Sequence, residues 1–168
     1  MNSSQRLQAA EKALFPIFYG IDTAVKQNLK KVLNSFRAHR VGVHHFASVS
    51  GYGHDDLGRK TLDMVFADVM GAEAAAVRVQ FVSGTHAIAS CLFGVLRPGD
   101  EMLAIAGAPY DTLEEVIGLR GDGQGSLLEF GIRYRQLSLT SDGSLDWSAL
   151  ATAVGENSRL VFIQRSCG

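Results

Sequence analysis

The sequence predicts an α/β fold in which N-terminal helices precede a mainly parallel sheet with flanking helices. Two patterns support this prediction. Apolar residues repeat at helical spacing through the first part of the chain, whereas short β-branched segments alternate with helical segments from residue 76 onward. Strands that alternate with helices pair in parallel and are covered by helices on both faces, so we expect the order β-α-β-α-β-α-β after residue 76.

Composition and charge indicate a globular chain and exclude several classes of protein. Of the 168 residues, 46% are hydrophobic and 20% are charged, which excludes a disordered tail, a coiled coil and a collagen-like repeat. The 16 basic and 17 acidic residues give a net charge of −1, so we expect no nucleic-acid or membrane partner. Two cysteines cannot form a disulfide framework, and no apolar run reaches the roughly 20 residues of a membrane span, which favours the cytoplasm.

Two helices are predicted in the first part of the chain. The first occupies roughly the first 40 residues, where Val25, Leu29 and Phe36 lie on one apolar stripe. The second runs from about Leu57 to Met70, because its apolar residues recur at helical intervals. The segment between the two helices is less regular and ends in a glycine-rich loop.

Four strands and three helices are predicted after this. The strands are 76–81, 102–105, 132–139 and 160–163, and the helices are 86–95, 111–117 and 146–154. We expect Asp111 and Thr112 to cap their helix and Cys91 to be a small buried side chain. In an open α/β sheet the ligand lies beyond the carboxyl ends of the strands, so the loops that follow the strands are candidates for the functional site.

The strongest chemical signal is the Ser83-Gly84-Thr85 turn, which joins a predicted strand directly to a helix. Backbone N–H groups and the helix dipole then point at one place, two hydroxyls are available and Gly84 allows close approach, which suits a phosphate group. An ordinary helix N-cap is the alternative, because serine and threonine are favoured there. Tyr110 follows a buried strand at the same sheet edge, where it either stacks on a flat cofactor ring or fills a loop.

Two glycine-rich loops offer further candidates. In the loop 51–59, Arg59 can form a forked pair with a phosphate, and Tyr52 can donate a phenolic hydrogen bond. A metal cluster that includes His44 and His45 is the alternative, but no recognised ligand spacing is present, so we expect no metal site. The segment 121–125 follows a helix rather than a strand, which favours a surface loop over a nucleotide-binding loop.

Four segments together resemble the fold-type I enzymes that use pyridoxal 5′-phosphate (PLP), and in particular the methionine gamma-lyase-related proteins of the aluminium resistance family. They are 51–59 (GYGHDDLGR), 80–88 (QFVSGTHAI), 107–115 (GAPYDTLEE) and 161–166 (VFIQRS). The resemblance covers essentially the whole chain in order. It implies an N-terminal helical segment and dimer-facing loop at 1–58, followed at 59–168 by the incomplete first half of the PLP-binding large domain.

The resemblance also implies which residues bind the cofactor: Ser83, Gly84, Thr85, Tyr110, Tyr52 and Arg59. The Ser-Gly-Thr turn would hold the cofactor phosphate at the helix N-terminus, and the aromatic ring after the next strand would stack on the pyridine ring. Tyr52 and Arg59, in the loop 51–59, would reach the phosphate from the neighbouring subunit. We therefore expect a homodimer or homotetramer in the full enzyme.

The resemblance further implies chemistry that this chain does not supply. Enzymes of the family form a Schiff base with a lysine and place an aspartate against the pyridine nitrogen, both farther along the chain, whereas the lysines here are Lys12, Lys26, Lys30, Lys31 and Lys60. We expect an N-terminal fragment of a PLP-dependent carbon–sulfur lyase that acts on a small amino acid, with no catalytic residue of its own and inactive alone. A non-catalytic remnant or interaction module that docks on a full-length relative is one alternative, and a nucleotide-binding α/β domain is another.

Overall fold

The computed structural model describes residues 2–49 and 56–165, and the chain divides into two compact units at 1–79 and 80–168. We call them the helical unit and the sheet unit, because the first contains only helical elements among its described residues and the second contains three strands. The architecture is a mixed α/β fold with a small parallel sheet, as the sequence predicts. Within the two described ranges, no helix has the length and apolarity required to cross a membrane.

The helical unit contains helix α1 (Ser3–Ala38), a 3-10 turn (Val43–Phe46) and helix α2 (Leu57–Met70). The side chain of Asn2 caps α1 by accepting the N–H of Gln5, and Asp56 caps α2 by accepting the N–H of Arg59. Helix α2 ends at Gly71, whose left-handed backbone (φ 66°) suits glycine. Both helix predictions for this part of the chain are confirmed.

Polar contacts join the end of α1 to α2. The Ser35 hydroxyl donates to the carboxylate of Asp68 at 3.0 Å, and Nε2 of His39 lies 2.7 Å from the same carboxylate oxygen. These two hydrogen bonds, that of His39 first, hold the pKa of Asp68 below its ordinary value. By contrast, Val25 and Leu29 on the predicted apolar stripe remain 57% and 55% exposed.

The sheet unit alternates helices and strands: α3 (Gly84–Val95), β1 (Glu101–Ala104), α4 (Asp111–Ile117), β2 (Arg133–Gln136), α5 (Trp147–Ala153) and β3 (Ser158–Phe162). The three strands are parallel in the order β2-β1-β3, so β1 is central. Met102 of β1 lies opposite Tyr134 on one side and Leu160 on the other. Parallel pairing with helical crossovers confirms that part of the prediction.

Apolar side chains cover both faces of this sheet. On one face, Met102 packs in a cluster of buried residues that includes Leu92 of α3 and Leu113 of α4. On the other face, Leu103 packs with Ala153 of α5. Neighbouring residues of a strand point to opposite faces, so Met102 and Leu103, both fully buried, anchor the two layers.

The strand predicted at 76–81 is wrong. The N–H of Val77 donates to Oδ1 of Asp63 on α2 at 2.8 Å, and the guanidinium of Arg78 donates to both oxygens of that carboxylate at 2.6 and 2.8 Å. These contacts tie the segment to a helix rather than to a neighbouring strand. The described order after residue 76 is therefore α-β-α-β-α-β.

Three smaller predictions also require correction. Asp111 is the first residue of α4 rather than its cap, since Tyr110 occupies the N-cap position and Oδ1 of Asp111 accepts the N–H of Thr112. Strand β2 is shorter than predicted because it pairs only with the four residues of β1. Cys91 is exposed rather than buried, because it lines an open cleft between α3 and β3.

Candidate functional site

The candidate site lies beyond the carboxyl ends of β1 and β3, within the sheet unit. Tyr110 follows β1, and Gln164 follows β3. The N-terminus of α3 reaches the same place, because the hydroxyl of Thr85 lies 2.8 Å from the hydroxyl of Tyr110. Ligands of parallel α/β sheets bind at this edge, so the fold brings the predicted residues to the expected position.

The first turn of α3 presents backbone donors. The Ser83 side chain caps the helix by accepting the N–H of His86 at 3.0 Å. Within the described part of the chain, the N–H groups of Gly84 and Thr85 have no hydrogen-bond partner. A Cβ added at Gly84 would meet no atom within 4 Å, so the space beside these donors is open. Two exposed N–H groups at the positive end of a helix are suited to an anion.

Three hydroxyl groups form a connected chain next to this turn. Oγ1 of Thr85 lies 2.8 Å from the hydroxyl of Tyr110 and 3.0 Å from Oγ1 of Thr112. The ring of Tyr110 is half-buried against the apolar cluster around Met102. The ring is therefore fixed by packing on one side and by hydrogen bonding at its phenol end.

Gln164 adds a contact from the adjacent strand. Its Oε1 accepts the backbone N–H of Tyr110 at 3.3 Å. Gln164 also lines an open cleft of about 670 Å³ at this edge of the sheet, together with Ala108 and Trp147. The donors and acceptors gathered here are hydroxyls, backbone N–H groups and a carboxamide, which bind an anionic or polar ligand by hydrogen bonds.

The carboxylates whose pKa is shifted by ion pairing are not among these groups. The guanidinium of Arg135 and the hydroxyl of Ser158 hold the pKa of Glu101 below its ordinary value, at the amino end of β1. In the helical unit, the guanidinium of Arg78 lowers the pKa of Asp63. Among residues 2–49 and 56–165, no group of three or more His, Cys, Asp or Glu side chains is arranged to hold a metal ion.

The predicted site residues fall into three sets. Ser83, Gly84 and Thr85 are brought together with Tyr110 in the sheet unit. Arg59 belongs to the helical unit, where its Nε lies 3.2 Å from the carboxylate of Asp56. Tyr52 lies outside the described residues. The structure therefore assembles the turn and the aromatic ring and leaves the loop residues as a prediction.

Two residues of the site, Thr112 and Gln164, were not predicted from the sequence. Gln164 could have been found by one rule: the first polar side chain after a parallel strand lies near the ligand. Gln164 is the second residue after β3, and Thr112 lies two residues after Tyr110 in the loop-to-helix junction that follows β1. Both were overlooked because amide and hydroxyl side chains are also common in ordinary loops.

The methionine gamma-lyase family model matches residues 3–168. The chain belongs to the methionine gamma-lyase family. Since this match covers nearly every residue, the candidate site lies within the matched region, and the resemblance noted in the sequence is confirmed at the level of the family.

The chain is also similar to individual proteins and solved structures. The uncharacterized protein YnbB of Bacillus subtilis is 51% identical over 149 residues, which are 88% of this chain and 35% of that protein. A solved structure from Listeria innocua, named provisionally as a cystathionine beta-lyase involved in aluminum resistance, is 44% identical with a TM-score of 0.93 over 99% of this chain and 41% of its own. A carbon-sulfur lyase involved in aluminum resistance from Clostridium novyi is 44% identical with a TM-score of 0.90, over 95% and 39%. The chain thus spans about two fifths of the length of these relatives.

Proposed function

We propose that this chain contributes the cofactor-phosphate site of a PLP-dependent carbon–sulfur lyase of fold type I. The observation that carries the proposal is the open turn at Gly84 and Thr85, which has two unpartnered N–H groups among the described residues and whose Thr85 hydroxyl contacts the phenol of Tyr110. The family match and the name of the Clostridium novyi relative support carbon–sulfur lyase chemistry. In the full enzyme the substrate would be a small amino acid that carries a sulfur leaving group.

The described residues fit a phosphorylated aromatic cofactor. A phosphate at the N-terminus of α3 would accept the N–H groups of Gly84 and Thr85 and would be stabilised by the helix dipole. Ser83 would keep the turn in place through its cap on His86. Tyr110 would present the face of its ring to the pyridine, because its phenol and its backbone are both held by hydrogen bonds.

PLP, when bound, supplies an electron sink for the pair left on the α-carbon of an amino acid after proton removal. The amine that this chemistry requires is not in the sheet unit, because all five lysines lie at or before Lys60. We therefore expect no lyase turnover from this chain alone. We further propose that Tyr52 and Arg59 reach the phosphate of a neighbouring subunit in a homodimer or homotetramer, where Arg59 adds a charge-assisted pair.

The same distribution of lysines favours a second candidate function, a non-catalytic module that docks on a full-length relative. A module of this kind would form a mixed complex with a full-length protein such as YnbB, which analytical ultracentrifugation detects as a species heavier than either protein. The two candidates differ in cofactor binding, because part of a lyase should prefer a phosphorylated pyridoxine over pyridoxine, whereas a docking module without a cofactor site should not.

A matched pair of glycine substitutions tests the phosphate site. Gly84 and Gly94 both lie in α3 with open space around an added Cβ, but only Gly84 is at the proposed site. We expect both alanine variants to fold at least as well as the original chain, because alanine favours a helix by about 0.5–1 kcal/mol over glycine. We expect only Gly84→Ala to impair binding, since its methyl group would occupy the space of the phosphate.

The probe is pyridoxine 5′-phosphate, which has no aldehyde and so cannot react with the exposed lysines, compared with pyridoxine by calorimetry. The original chain should prefer the phosphate ester. Gly84→Ala should reduce this preference about ten-fold, the loss of one hydrogen bond to a charged group. Gly94→Ala should retain it. Equal binding of the two probes by the original chain, or an unchanged preference in Gly84→Ala, would overturn the proposal.

A further inference from the structure

We propose that Thr112 is a positioning residue that fixes the phenol of Tyr110 through Thr85. The expected effect of Thr112 on ligand binding rests on the proposed function. The expected effect on the orientation of the Tyr110 phenol depends only on the hydrogen bonds among the three hydroxyl groups. Thr112 makes its hydrogen bond to Thr85 rather than to the tyrosine itself, at 3.0 Å. Thr112 therefore acts on the ring indirectly, through the hydroxyl of Thr85.

Thr112 can influence the phenol of Tyr110 because each hydroxyl in the chain has a single proton. Each hydroxyl has one proton to donate and two lone pairs that accept. Thr85 contacts both Tyr110 and Thr112, so it can donate to only one of them. When Thr112 donates to Thr85, Thr85 donates to the phenol oxygen, and the phenol proton is left for an acceptor at the site.

An anion at the N-terminus of α3 would favour this direction of the chain, because the anion accepts and cannot donate. The opposite direction would direct the phenol proton toward Thr85 and away from the ligand. Without the Thr112 hydroxyl, Thr85 loses the donor that orients it, and its proton is free to turn. The presence of Thr112 thus sets both the hydrogen-bond direction and the position of the ring.

The remaining contacts of Tyr110 leave this role to the hydroxyl chain. Its backbone N–H is held by Gln164, and its side chain packs on the apolar cluster, so the phenol end is fixed chiefly through Thr85. Thr112 is itself exposed. Removing its hydroxyl leaves no buried polar group unsatisfied, so Thr112→Val should fold normally.

The experiment uses the chain labelled with 3-fluorotyrosine, which gives one fluorine signal for each of the four tyrosines. Tyr110→Phe identifies the signal of Tyr110 by its disappearance. We expect Thr112→Val to shift or broaden this signal and Thr112→Ser, which restores the hydroxyl, to return it. Thr152→Val is the control, since the Thr152 hydroxyl donates to backbone carbonyls of its own helix α5.

Binding of pyridoxine 5′-phosphate gives the second readout. Thr112→Val should weaken it about three- to ten-fold, the value of one ordinary hydrogen bond, and Thr112→Ser should restore it. An unaltered Tyr110 signal together with unaltered affinity in Thr112→Val would overturn the inference while the proposed function stands. If the original chain does not bind the probe at all, the proposed function fails, and the fluorine signal alone decides the role of Thr112.

Discussion

In the helical unit, carboxylates join the described elements by hydrogen bonds, whereas in the sheet unit a larger set of buried apolar side chains surrounds the strands, which one carboxylate, that of Glu101, also joins. Asp68 joins α1 to α2, and Asp63 ties the segment around Arg78 to α2. In the sheet unit, Met102 and Leu113 are fully buried among other apolar residues. The two units therefore differ in what should destabilise them most: loss of the carboxylate contacts in acid for the first, and loss of apolar volume for the second.

The two units also differ in whether they contain the candidate site described above. The candidate site lies in the sheet unit, where the side chain of Tyr110 packs against a buried apolar cluster. The helical unit carries the exposed stripe of α1 and every lysine of the sequence. The candidate residues Ser83, Gly84, Thr85 and Tyr110 thus lie in the unit that contains this buried cluster, as sites that require fixed geometry usually do.

The largest expected effect is the loss of a buried leucine. Leu113 is 0% exposed, whereas Leu29 on α1 is 55% exposed, so the same truncation can be compared in the two units. We expect Leu113→Ala to lower the free energy of unfolding by about 2–5 kcal/mol, because it removes buried methyl groups and leaves a cavity. Leu29→Ala should change it by less than about 0.5 kcal/mol. Urea unfolding monitored by circular dichroism measures both, and equal losses would refute the comparison.

A smaller effect is expected from acid, and it should appear first in the helical unit. The pKa values of Asp63 and Asp68 are lowered in the folded chain, so their stabilisation is complete above the unfolded pKa and is lost as pH falls through the folded one. Below about pH 4 the amide of Val77, which donates to Asp63, should lose protection from hydrogen exchange while that of Met102 retains it. Rates are compared after correction for intrinsic exchange.

Asp63→Asn provides the control for this acid effect. The amide oxygen of an asparagine still accepts the Val77 N–H but cannot ionise, so in this variant the protection of Val77 should no longer depend on acid. The Met102 amide should behave as in the original chain. If Val77 keeps full protection in acid, or if Asp63→Asn retains the original pH profile, the carboxylate does not hold this segment.

Sequence reasoning succeeded where the signal was local. Ser83 directly precedes α3, and Asp56 and Gly71 bound α2, so each helix end is encoded within a few residues. It failed at 76–81, because the contact that decides this segment comes from Asp63, fourteen residues before Val77. A β-branched segment reads as a strand whether or not a strand partner is present.

The candidate site was likewise predictable where its residues are consecutive and not where they are distant in sequence. The turn at Gly84 was predictable, because its residues are consecutive and their chemistry is local. The hydrogen bond between Tyr110 and Gln164 joins residues 54 positions apart, and it depends on β1 and β3 being neighbours in the sheet. Strand order is not contained in any short segment, so sequence reasoning could place both residues at one edge without pairing them.

The most direct test of the proposed phosphate site is a backbone ¹H–¹⁵N titration of the chain with pyridoxine 5′-phosphate. Because the N–H groups of Gly84 and Thr85 would donate to the phosphate, their signals should show the largest shifts in the chain, and pyridoxine should not reproduce them. Unshifted Gly84 and Thr85 signals at saturation, or largest shifts among residues of α1, would contradict the proposal.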